Sequence, residues 1–157
     1  AYNIYMRILG IDLGKKRIGI ALGDTENHIA VGLPTVINNG DTLNQLKEII
    51  VRENIQKLII GLPTTMTGQV GEQADYTKRW GEHIKNILNI SVEYIDERLS
   101  SKMARDGLAA MGGAITKEDI DQAAAVLILQ SWLDRPENWF DSIGAVFYNQ
   151  GSIIQGR

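Results

Sequence analysis

A chain of 157 residues in which 44% are hydrophobic has the size and make-up of one globular domain with one full core. The absence of cysteine excludes disulfides, thiolate zinc sites and a cysteine nucleophile, and points to a reducing, cytoplasmic compartment. No apolar run approaches the ~20 residues that cross a bilayer, the start AYNIYMR lacks the layout of a signal peptide, and a net charge of −3 argues against a protein that coats nucleic acid while leaving room for a local basic patch.

Met6 opens the first strand-like run, so residues 1–5 read either as a non-native remnant or as a simple extension. Apolar runs at 7–13 and 17–23, joined by Gly14, Lys15 and Lys16, predict a hairpin, and a third run at 29–37 is expected to add to it. Leu43, Leu46, Ile49 and Ile50 recur at helical spacing and predict a helix over 41–53. A short strand at 57–60 leads into the loop GLPTTMTGQVG, which the glycines and Pro63 mark as a turn region, and a helix follows over 72–88. A strand at 91–96, a helix at 100–111 ended by Gly112 and Gly113, and a long helix at 116–133 complete the order. Thr116 to Asp119 has capping-box spacing. The order β-β-β-α-β-α-β-α-α predicts an α/β fold, a mixed sheet flanked by helices. The expected organisation is a single domain over 1–157, with a core of about 6–133 and a tail over 134–157 whose Trp139, Phe140, Phe147 and Tyr148 could pack on the body.

Three acids stand out against this layout. Asp12 ends an almost wholly apolar strand and, by alternation, shares a face with Ile8 and Gly10. Asp96 and Glu97 close the fifth strand and, being adjacent, point to opposite sides, so only one of them faces Asp12. Asp121 falls on one helical stripe with Ala124, Ala125, Ile128 and Trp132, the stripe expected to face the sheet. An ionised carboxylate withdrawn from water needs a partner, and three of them converging call for a hard divalent cation with oxygen ligands, magnesium or manganese. Each acid also has a structural reading: Asp12 as the opening residue of a turn, Glu97 as a surface acid beside Arg98, and Glu118, Asp119 and Asp121 as complements to a helix dipole. His28 and His83 show no zinc or triad spacing and are assigned no role.

Four segments, ILGIDLGKKRIGIALGD, LIIGLPTTMTGQVGEQA, VEYIDERLSS and DIDQAAAVLILQSWL, resemble in order and spacing the signature segments of the YqgF-type family, the pre-16S ribosomal RNA nucleases also described as Holliday-junction-resolvase-like. The resemblance runs from about residue 6 to 133 and implies a ribonuclease H-like fold and a catalytic, metal-binding trio of Asp12, Glu97 and Asp121. In a two-metal phosphodiester hydrolysis Asp12, from the most rigid strand, is expected to bridge the ions, with Glu97 and Asp121 completing their shells. Lys15, Lys16, Arg17 and Arg98 lie beside these acids and are expected to hold substrate phosphates. Related resolvases carry an extra residue at the spacing of Glu118, which suggests an auxiliary role in proton transfer. The chain departs from the family pattern at Gly23, where serine is common, and in the tail.

Within this reading the substrate is precursor ribosomal RNA or branched four-way DNA, and the protein is a monomer or a homodimer without membrane attachment. RNA maturation is preferred because the resemblance is to that branch. Two readings from other classes remain. The GIDLG strand and hairpin also resemble the phosphate segment of actin-like and sugar-kinase ATPases, but no second Asp-x-Gly segment is present to complete such a site. A non-catalytic RNA-binding scaffold is favoured only by a broken acid trio, and this trio is intact.

Overall fold

The computed structural model describes residues 5–63, 71–97 and 100–135. Its elements are β1 (Arg7–Leu13), β2 (Arg17–Asp24), β3 (Val31–Ile37), α1 (Thr42–Arg52), β4 (Lys57–Leu62), α2 (Glu72–Leu88), β5 (Ser91–Asp96), α3 (Ser100–Met111) and α4 (Lys117–Leu133). Their number and order match the expectation. β3 begins two residues later than expected, because the chain before it is spent on a turn. The Asp24 carboxylate accepts from the backbone N–H groups of Glu26 (2.9 Å) and Asn27 (2.6 Å), and His28 takes a left-handed conformation with φ of 57°. β4 runs two residues further than expected because its parallel pairing with β5 continues through Gly61–Ile95 to Leu62–Asp96. Part of the expected loop, residues 64–70, and most of the aromatic tail, residues 136–157, lie outside the described residues.

The five strands form one mixed sheet in the order β3-β2-β1-β4-β5, with β1 at its centre, antiparallel to β2 and parallel to β4. Strand alternation divides the apolar residues between two layers. Leu9, Ile11, Leu13, Ile18, Ile20, Leu58 and Ile60 face one side, where Leu46 and Ile49 of α1 and Ile84 of α2 close a buried cluster. Ile8, Ala21, Ile59 and Ile95 face the other, against Ala125, Ile128, Leu129, Trp132 and Leu133 of α4. Each fully buried Leu or Ile of these layers contributes roughly 1.5–3 kcal/mol of transfer free energy. The stripe expected to face the sheet does so: Ala124, Ala125, Ile128 and Trp132 are all buried. The capping box forms as well, with Thr116 Oγ1 accepting from Asp119 N–H (3.0 Å) and Asp119 Oδ2 accepting from Thr116 N–H (2.9 Å).

Glycines at positions 10, 19 and 61 let α4 lie this close, Gly10 of β1 beneath Ala125 and Leu129. Gly19 of β2 carries no side chain beneath α4, and a Cβ there would overlap the carbonyl oxygen of Asp121. β2 also shifts register against β3 between Ile18 and Ile20. Close backbone approach and a local bulge are the usual reasons for glycine inside a strand. At Gly61 of β4 a Cβ would overlap the Ile128 side chain of α4 and stand 2.7 Å from Glu97 Oε2. The helix is therefore seated by missing side chains, and its first turns are held over the end of β1.

Candidate active site

Asp12 is the sixth residue of the central strand and lies on the α4 face with Ile8. Its cross-strand partner is Gly19, and on the other side the β1–β4 register steps from the Ile11–Ile60 pair toward Gly61. Two glycines thus flank one carboxylate and leave a recess around it. Glu97 enters from β5: its N–H donates to the Leu62 carbonyl at 3.2 Å, which extends the ladder one residue past the exposed Asp96. Alternation then turns Glu97 to the same face as Ile95, the α4 face. Asp121 arrives from the first turns of α4, directly above Gly19. β1, the end of β5 and the start of α4 therefore bring the three expected acids to one end of one face.

The electrostatics of the recess follow from burial. Asp12 and Glu97 share a carboxyl–carboxyl hydrogen bond. Withdrawal from water pushes Glu97 up to about 9, with the Asp12 charge and hydrogen bond adding to the effect. Burial raises Asp12 too; its bond to Glu97 opposes this and the charge of Asp121 adds to it. Glu97 consequently keeps its proton at neutral pH. The other Glu97 oxygen, Oε2, is buried without a hydrogen-bond partner. Asp24 makes an instructive contrast: burial pushes it up as well, but the N–H groups of Asn27 and Glu26 hold it below the ordinary range. The hairpin turn closes through Gly14 N–H to the Arg17 carbonyl (3.0 Å) and through Asn38 Nδ2 to the Gly14 carbonyl (2.8 Å). Among the described residues no turn N–H donates to Asp12, so turn capping does not account for that acid.

A pH dependence follows. Below the ordinary glutamate value of 4.5 Glu97 is protonated in both the folded and the unfolded chain; between there and about 9 only the folded chain keeps the proton. The folded state then binds more protons than the unfolded one, so stability declines as pH rises through this window. Thermal denaturation in a chelator should show that decline, and Glu97→Gln should flatten it. An unchanged slope in the variant would show that Glu97 does not carry the proton.

The remaining expected residues divide. Lys15 and Lys16 are exposed on the hairpin turn next to Asp12, available to solvent-borne phosphates. Arg17 is directed elsewhere: its Nε lies 3.0 Å from Asp121 Oδ2, with both side chains about a quarter exposed (28% and 24%). As they stand, no three His, Cys, Asp or Glu side chains among the described residues are spaced to hold one metal ion. Arg98 lies outside the described residues. Glu118 is exposed and its Oε1 accepts from Thr35 Oγ1 (3.2 Å) and Thr35 N–H (3.4 Å), which ties the start of α4 to the edge strand β3. Sequence reasoning did not anticipate Gly19, Gly61 or the Arg17–Asp121 pair. The glycines had a signal, since each interrupts an apolar strand; the ion pair, separated by 104 positions, had none.

A family model described as RuvX, Holliday junction resolvase, matches residues 6–135. Among curated proteins carrying the name "Putative pre-16S rRNA nuclease", one from Thermosynechococcus vestitus is 44% identical over 131 residues, covering 81% of this chain and 87% of its own. Another, from Sulfurihydrogenibium sp., is 40% identical over 131 residues, covering 82% and 90%. A third, from Thermoanaerobacter pseudethanolicus, is 40% identical over 138 residues and is covered to 99% of its length, against 85% of this chain. Among solved structures, T. thermophilus RuvC in complex with a Holliday junction substrate aligns with a TM-score of 0.50 and 14% identity over 82% of this chain and 93% of its own. That likeness is one of architecture and shows the ribonuclease H-like fold expected above. With the match spanning every element from β1 to α4, the chain belongs to the RuvX family.

Proposed function

We propose that this chain is a nuclease that hydrolyses phosphodiester bonds with a divalent metal held by Asp12, Glu97 and Asp121, and that it matures the 5′ end of precursor 16S ribosomal RNA in the cytoplasm. The observation that carries the reading is the half-buried Asp12–Glu97 pair, in which Glu97 Oε2 is itself buried without a hydrogen-bond partner, at the place where α4 delivers Asp121. Buried carboxylates left this way are costly unless a cation takes them up. The donor set is all carboxylate oxygen, which suits magnesium or manganese and not a softer metal. When bound, such an ion stabilises charge developing on phosphoryl oxygens and lowers the pKa of water.

The chain's own residues supply the rest. Asp12, on the central strand, is the most rigidly placed of the acids and sets the position of the site. To hold such an ion Glu97 would release its proton to solvent, and the flanking glycines leave room beside it for a phosphate. Lys15 and Lys16 stand at the hairpin turn, where they pair with neighbouring phosphates and orient the strand to be cut. Glu118 acts here as a brace on Thr35. Glu118→Gln should keep turnover within about twofold of wild type and lower the melting temperature slightly, as for other exposed substitutions. A larger fall in rate with an altered pH profile would instead assign it the auxiliary proton-transfer role.

The substrate assignment is supported by the names of the relatives, whereas the family description points to branched DNA. Labelled precursor RNA with an extended 5′ end and a synthetic four-way junction, each incubated with magnesium or with chelator, separate the two. Metal-dependent shortening of the RNA, with the junction left intact, is the expected result. Paired incisions in the junction without RNA cleavage would establish the resolvase reading, and ATP hydrolysis without cleavage of either would overturn both.

A further inference from the structure

We infer that Arg17 serves as an internal counter-cation for Asp121, releasing it only when a divalent cation binds, and so sets the metal affinity of the site. The inference rests on the nuclease reading above. Three facts support it. The Arg17 Nε–Asp121 Oδ2 contact is 3.0 Å, within ordinary charge-assisted hydrogen-bond range. It joins the first residue of β2 to the first turns of α4 across 104 positions of sequence, so the fold has brought together two groups that local structure does not need to pair. And Asp121 faces a second anion, Asp12, whose ionisation its charge opposes. Without Arg17, the metal-free protein would hold Asp12 and Asp121 at one strand end with no positive charge on either.

The same pairing stands against metal binding. A carboxylate oxygen committed to a guanidinium is not free to be a ligand, and a second positive charge within a few ångströms of a divalent ion repels it. The backbone of Asp121 is fixed by its seating over Gly19, so the exchange needs only side-chain rotation. Arg17 is about a quarter exposed and can turn toward solvent, where it joins Lys15 and Lys16 on the hairpin. A guanidinium released there is suited to a bidentate hold on a phosphate. Arg17 is thus a positioning residue in the metal-free protein and becomes available to substrate once the acids are occupied.

The test is manganese binding to the whole chain without nucleic acid, by calorimetry and by the electron paramagnetic resonance of free Mn2+, together with melting temperature in chelator. Arg17→Gln should bind Mn2+ about five- to tenfold more tightly than wild type while melting at a lower temperature in chelator, the gap closing as Mn2+ is added. Arg17→Lys, which keeps the charge, should stay within about twofold of wild-type affinity. Arg17→Met keeps the apolar stem and replaces the Gln variant if that one does not fold. In an Asp121→Asn background the tightening by Arg17→Gln should be clearly smaller, since only the direct repulsion of the ion is left once the ion pair with Asp121 is gone. Equal or weaker Mn2+ binding by the neutral variants, or the same tightening with Asp121 removed, would overturn the inference while leaving the nuclease site intact, provided that Asp12→Asn loses Mn2+ binding. Failure of the wild type itself to bind Mn2+ would overturn both.

Discussion

Asp12→Asn is expected to reduce cleavage to background, a loss on the order of 10^3-fold or more, while the protein stays folded. That scale corresponds to several kcal/mol of transition-state charge stabilisation, the contribution of a bound metal. The amide keeps the shape of the carboxylate, so packing on β1 is unchanged; what disappears is the anionic ligand. Stability in chelator should rise, because Asp12 is one of the causes that push Glu97 up to about 9. Once the amide replaces that carboxylate, Glu97 is freed of the neighbouring charge and the hydrogen bond that oppose its ionisation, and burial is left as the main penalty. The gain should be largest near pH 8–9, where wild-type Glu97 is forced to part with its proton, and should shrink as the pH falls below the ordinary glutamate value of 4.5, vanishing only well below the ordinary aspartate value of 3.8, where both carboxyls are protonated in folded and unfolded chains alike. A variant with full activity in magnesium would remove Asp12 from the site. A variant that melts well below wild type in chelator would make it a structural acid instead.

Much of this arrangement could be read in the residues before any coordinates. Strand alternation in ILGIDL was sufficient to put Asp12 on the face of Ile8, and the helical stripe through Ala124, Ala125, Ile128 and Trp132 was sufficient to put Asp121 toward the sheet. Both inferences use periods fixed by backbone geometry, and they hold wherever one face of an element is buried. The choice between Asp96 and Glu97 needed more: alternation says that they diverge, but the side that belongs to the site depends on β5 pairing with β4 in parallel through Leu62–Asp96. The partner of Asp121 was out of reach, because nothing in the spacing of two residues 104 positions apart encodes a 3.0 Å contact. Boundaries shifted for local reasons, at β3 because the Asp24 side chain and the left-handed His28 make a turn out of residues that looked strand-like.

The glycines beneath α4 lead to the second large effect. Gly19→Ala adds one methyl group, normally a mild change in a strand, yet it is expected to cost at or above the ~3 kcal/mol upper end of ordinary overpacking and to remove activity together with stability. The reason is what the methyl would meet. At Gly19 the obstacle is the backbone carbonyl of Asp121, which has no rotamer to adopt, so relief requires α4 as a whole to move off the sheet. That movement would break the packing of Ala125 and Leu129, both fully buried, and would carry Asp121 away from Asp12. Gly40→Ala is the control, since no atom lies within 4 Å of a Cβ at that position, and it should change neither property measurably. Melting temperature, single-turnover cleavage and Mn2+ affinity measured on the two variants separate the possibilities. A folded Gly19→Ala protein with wild-type melting and wild-type cleavage would mean that α4 does not rest on Gly19, and the account of how Asp121 is positioned would fall. A variant that melts lower but still binds Mn2+ as tightly as wild type would show that the helix tolerates the shift without moving its acid. The outcome expected from the geometry is loss of both, because one backbone contact seats the helix and places the carboxylate.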